Sequence, residues 1–110
     1  MPYIQARHRQ ELDDLIDQLA DRIIGQSRQH EDPGAFAGLL NYACTRLTLQ
    51  IVRRRFGRLR YWLIAIICGT YKNIADEFYR RLAAAYEDKQ MALSGDVDLF
   101  QEYLEEIEKM

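Results

Sequence analysis

The chain has 110 residues, of which 48% are hydrophobic and 29% charged, with a formal net charge of −2. One domain suffices for that length, since chains ordinarily divide only beyond roughly 200 residues, and a core needing neither metal nor disulfide is expected. Neither a disulfide scaffold, which needs more than two cysteines, nor a strongly basic nucleic-acid binder matches the composition.

From Gln5 to Gly25, apolar residues stand at Leu12, Leu15, Ile16, Leu19, Ala20, Ile23 and Ile24. This spacing of three and four predicts an amphipathic helix that stops at Gly25. The lead-in before it, with Pro2, is expected to be extended. Asp32-Pro33 then predicts a second helix start, with Asp32 as cap and Pro33 in the first turn. That helix runs to about Phe56 and turns Phe36, Leu39, Leu40, Ala43, Leu47 and Ile51 inward. Gly34 and Gly38 weaken its first turns.

Gly57 marks a turn, and the short connection predicts that the helices on either side are antiparallel neighbours. A single bent helix is the alternative. The stretch from Leu59 to Leu93 has no proline, and its apolar set includes Ile64, Ile67, Cys68, Tyr71, Ile74, Ala75, Phe78, Leu82 and Ala85. The periodicity predicts one long central helix, about 50 Å at 1.5 Å per residue, part of which protrudes or pairs with another chain. Read alone, the apolar run in YWLIAIIC also fits a buried strand. Asp76–Arg80 and Glu77–Arg81 have the spacing of ion pairs. Ser94-Gly95 ends the rod, and Asp96 or Asp98 caps a last helix with the stripe Phe100, Tyr103, Leu104 and Ile107. The fold class expected is therefore all-α, a small bundle of about four helices.

Cys44 and Cys68 lie within apolar helical patterns, which predicts two buried thiols, with an interhelical disulfide as the alternative. The N-terminus has no signal-peptide pattern, and the longest apolar run, Tyr61–Gly69, is too short to span a bilayer. Together these point to a soluble, cytoplasmic protein.

The stretches MPYI at 1–4, LDDLIDQLA at 12–20, LNYACTRL at 40–47, EFYRR at 77–81, YEDK at 86–89 and GDV at 95–97 resemble a family of short, uncharacterised prokaryotic and phage proteins. The resemblance covers residues 1–97 and implies a compact helical domain of unknown function. It implies no activity and no cofactor. It also marks LNYA and EFYRR–YEDK as signature stretches. The chain departs from the pattern at 52–60, which is arginine-rich, and in its acidic extension over 98–110.

Three clusters are candidates for function. The first is polar: Asn41, Arg46, Glu77, Tyr79, Arg80, Arg81, Tyr86, Glu87 and Asp88. It reads either as a recognition pocket or as a hydrogen-bond network that fixes helix register. The second is the carboxylate ladder Asp13, Asp17 and Asp21, beside Asp14. Mg²⁺-dependent nucleotide hydrolases hold metal with such acids, but a solvated helix face looks the same, and no catalytic or metal residue is assigned.

The third is RRRFGRLR, in which Arg53, Arg54, Arg55, Arg58 and Arg60 carry positive charge with no acid between them. Such a run binds phosphate backbones, with Phe56, Tyr61 and Trp62 available to stack on bases, or it meets an acidic partner. The segment 96–110 supplies such acids: Asp96, Asp98, Glu102, Glu105, Glu106 and Glu108, against the single base Lys109. The leading expectation is a non-enzymatic interaction or assembly module that forms a homodimer. A nucleic-acid-binding accessory protein is the second reading, and a Mg²⁺-dependent nucleotide hydrolase the third.

Overall fold

A computed structural model describes residues 4–110, and the expected lead-in around Pro2 lies outside them. The described residues are all-α. They form α1 (Ala6–Ser27), α2 (Phe36–Phe56), α3 (Tyr61–Phe78), α4 (Ala84–Ser94) and α5 (Asp98–Glu108). A 3₁₀ turn at Pro33–Ala35 leads into α2, and a π-helical turn at Tyr79–Ala83 joins α3 to α4. The residues from 61 to 94 are helical throughout, so YWLIAIIC is not a strand. The chain divides within α3 into two units, one ending at Cys68 and the other being Gly69–Met110.

In the first unit, α1 does not stop at Gly25. It passes through that glycine to Ser27, whose hydroxyl donates to the Ile24 carbonyl at 2.8 Å. A glycine ends a helix by taking positive φ. Among the described residues only Gly57 and Gly95 do so, at 80° and 83°. The start of α2 follows expectation: Asp32 Oδ1 accepts from the Gly34 N–H at 2.9 Å, with Pro33 in the first turn.

At the other end of α2, the Gly57 N–H donates to the Arg53 carbonyl at 3.1 Å. The Arg60 carbonyl then accepts from the N–H groups of Leu63 and Ile64 at 3.1 and 3.2 Å, which opens α3. Two helices therefore flank Gly57 rather than one bent helix. Within this unit α2 lies along α1.

Burial departs furthest from expectation. Among the described residues only Val52 and Leu63 are buried, at 7% and 4% exposure. Neither belongs to the predicted inward stripes. Phe36, Leu40, Leu47 and Ile51 on α2 are exposed, as are Ile64, Tyr71, Phe78 and Leu82 along the rod. The periodic faces exist, and the first unit covers its own only in part: Ile23 on α1 and Leu39 and Ala43 on α2 are half-buried where the two helices meet. The two thiols follow suit: Cys44 is half-buried and Cys68 exposed, and they form no disulfide.

In the second unit, Gly95 closes α4 with its N–H on the Met91 carbonyl at 2.8 Å. Val97, not an aspartate, stands at the cap position of α5. Asp96 is engaged elsewhere: Oδ1 accepts from the Val97 N–H at 2.7 Å, and Oδ2 accepts from Gln101 Nε2 at 3.1 Å. The Asp98 carboxylate turns to the adjacent Leu99 N–H at 3.0 Å. The α5 stripe is present and exposed throughout, from 51% at Leu104 to 63% at Phe100. No described helix is long and apolar enough to cross a membrane.

Candidate functional site

Two grooves flank one ridge on α2. Tyr42, Arg46 and Gln50 line both, and their spacing of four residues places them in one row along the helix. On one side of that row is a groove of about 400 Å³ floored by Leu49, Val52 and Leu59 and edged by Arg53 and Arg58. On the other side, between α1 and α2, is a groove of about 450 Å³ lined by Leu19, Ile23 and Leu47, with Arg22 and Arg54 at its edge. Each groove is an apolar trough with guanidinium groups on its rim.

The arginine run thus has a definite structure. Arg53, Arg54 and Arg55 occupy the last turn of α2, where the helix dipole favours positive charge. Arg54 Nε donates to Gln50 Oε1 at 3.2 Å. The Arg55 guanidinium carbon lies 5.1 Å from the centre of the Phe56 ring, a cation–π distance. Phe56 in turn meets Trp62 edge-to-face, with centroids 5.5 Å apart and planes at 88°. None of Arg53, Arg54, Arg55, Arg58 and Arg60 forms an ion pair among the described residues, where the one salt bridge joins Arg80 to Glu77. Their charge is open to a carboxylate or a phosphate.

The polar cluster falls in both units. Asn41 and Arg46 belong to the first, where Asn41 Oδ1 accepts from the Thr45 hydroxyl at 3.4 Å and Arg46 stands on the ridge. The rest belongs to the second. There Arg80 Nη2 donates to both Glu77 carboxylate oxygens at 3.0 Å, in place of the expected Asp76–Arg80 and Glu77–Arg81 pairs. Residues three apart are neighbours just as residues four apart are, and Arg80 takes the Glu77 carboxylate. Arg81 lines a shallow pocket with Glu77, Phe78 and Leu82.

Tyr79 donates its hydroxyl to Glu87 Oε2 at 3.0 Å. That hydrogen bond, and then the negative charge of Glu87, hold the Tyr79 phenol above its ordinary pKa of 10.0. Tyr86 is exposed, as is Asp88, whose charge adds weakly to the same shift. Asp13, Asp17 and Asp21 are exposed along α1. Among the described residues no three His, Cys, Asp or Glu side chains gather as a cation site.

Against this geometry, a family described as a domain of unknown function, DUF6899, matches residues 1–97. The chain belongs to the DUF6899 family. No curated protein and no solved structure matches it. The DUF6899 match takes in both grooves and the Tyr79–Glu87 bond, and it ends one residue before α5 begins at Asp98. In this DUF6899 chain the groove residues Tyr42, Leu49 and Leu59 escaped the sequence reading. The four-residue row Tyr42, Arg46 and Gln50 is the signal for Tyr42, whereas Leu49 and Leu59 carry none in the sequence.

Proposed function

We infer that this chain is a non-enzymatic assembly module that pairs with a second copy of itself through apolar helix faces. The observation that carries this reading is the exposure of those faces. On α1, Leu12, Leu15, Ile16 and Leu19 remain 49%, 64%, 55% and 44% exposed. Full burial of such a side chain stabilises by roughly 1.5–3 kcal/mol, so covering the exposed halves gains about 1 kcal/mol each. A contiguous apolar face of this kind marks an interaction surface. The two thiols suit a reducing, cytoplasmic setting.

Molar mass in solution, measured by light scattering across a concentration series, tests the reading. A dimer that dissociates on dilution is the expected result. A monomer at every concentration overturns it.

A second reading has its own observation. Five arginines without ion pairs, beside the Phe56–Trp62 edge, also suit a nucleic-acid backbone with stacked bases. Fluorescence anisotropy of labelled single-stranded DNA and RNA, at low and physiological salt, tests it. Binding that falls steeply with salt supports this reading, and no change at low salt removes it.

A further inference from the structure

We propose that α5 of one copy docks in the arginine-rimmed groove of a second copy, the one floored by Leu49, Val52 and Leu59. The proposal rests on the self-association reading and names its contact. Groove and helix are complementary in two independent respects.

The first is apolar. Leu99, Phe100, Tyr103, Leu104 and Ile107 fall on one side of α5 at spacings of three and four, and all are 51–63% exposed. The groove offers an apolar floor of matching character. An amphipathic helix laid in a groove with such anchors is a recurrent recognition mode.

The second is charge. Glu106 and Glu108 border the α5 stripe on its two sides, and Glu102 lies just beyond, while Arg46, Arg53 and Arg58 stand on the groove rim. None of these acids or arginines has an ion-pair partner among the described residues. A phosphate backbone would satisfy the arginines and leave the apolar floor uncovered. An acidic amphipathic helix satisfies both, and this chain carries one.

A charge swap tests the contact in the full chain. One variant carries Arg46→Glu, Arg53→Glu and Arg58→Glu; the other carries Glu102→Lys, Glu106→Lys and Glu108→Lys. All six positions are exposed, and circular dichroism checks that both variants keep their helix. Each variant alone is expected to dimerise at least about tenfold more weakly than the natural chain. Mixed in equal amounts, the two restore the affinity, because each acidic groove then meets a basic α5 and each basic groove an acidic one.

A natural chain that is monomeric removes the self-association reading itself. A natural dimer that neither variant weakens leaves that reading standing and overturns this contact. Weakening without restoration in the mixture overturns it too, as does a contact made within one chain, which mixing cannot rescue. If the groove variant keeps its dimer but loses salt-sensitive binding to single-stranded DNA, the arginines serve phosphate and the proposal fails.

Discussion

Tyr79 and Glu87 are eight residues apart, yet the phenolic hydroxyl donates to the Glu87 carboxylate at 3.0 Å. The π turn at Tyr79–Ala83 makes this possible. It takes up one extra residue, so the pair stands where a regular helix places residues seven apart, on one face. The bond and the turn therefore support each other, since a regular turn would rotate Glu87 off the Tyr79 side.

The pH dependence follows in sign. The Tyr79 pKa is raised in the folded chain, first by the hydrogen bond from its neutral form to Glu87 and then by the Glu87 charge. Its contribution to stability is therefore fully present below pH 10 and is lost as pH rises through the folded value. Phenolate absorbance titrated against the Tyr79→Phe variant isolates this group, and its midpoint is expected above 10. Glu87→Ala removes both causes and is expected to bring the midpoint back down. A Tyr79 midpoint unmoved by Glu87→Ala would show that the bond does not form in solution.

Glycines supply a second test, because the three named here do different things. Gly57 has φ 80° and ψ −42°, and Gly95 has φ 83° and ψ 158°, both outside the regions open to side-chain-bearing residues. Gly57→Ala is expected to destabilise by about 1–3 kcal/mol through backbone strain, although a Cβ there meets nothing within 4 Å. Gly25 lies inside α1 with open space at its Cβ. Gly25→Ala is therefore expected to stabilise by about 0.5–1 kcal/mol, the difference in helix propensity. Denaturant midpoints of the two variants should move in opposite directions.

Those glycines also show where sequence reasoning reaches. Gly57 and Gly95 follow breaks in periodicity, so their turns were legible. Gly25 looked the same, but the hydrogen-bonding run continued past it to Ser27. The start at Asp32-Pro33 and the helical run over 61–94 were legible because capping chemistry and helical spacing are local. The π turn was not, since nothing in YRRLA distinguishes it from a regular turn. Burial was the largest miss. Periodicity shows that a helix has an apolar face at Ile64, Tyr71 and Phe78, but not that the same chain supplies its cover. At the candidate site the arginines were visible as a run, whereas the groove they rim depends on how the Gly57–Leu59 connection lies beside the end of α2.

With so little buried, Val52 and Leu63 carry unusual weight. They stand on either side of the Gly57 connection, at 7% and 4% exposure. Leu63→Ala is expected to cost about 2–3 kcal/mol, near the low end for a buried leucine because the surroundings are open enough to relax. Leu15→Ala, on a side chain 64% exposed, is expected to cost far less in a dilute monomer. Thermal unfolding at low protein concentration compares the two. Equal losses would mean that Leu15 is covered in solution even in the single chain.

The same logic makes Cys68 a reporter of assembly. It lies on the rod's apolar stripe with Ile64, Ile67 and Tyr71, and it is exposed, whereas Cys44 is half-buried. A thiol reagent in excess is expected to modify Cys68 before Cys44 in dilute protein, and Cys68→Ser should remove the faster phase. If a second copy covers the stripe, the Cys68 rate falls as protein concentration rises through the dimer midpoint. The Cys44 rate, set by burial within its own unit, changes less. A Cys68 rate independent of concentration, in a protein whose mass shows a dimer, would place the interface away from this part of the rod and leave the α1 face and the arginine groove to carry it.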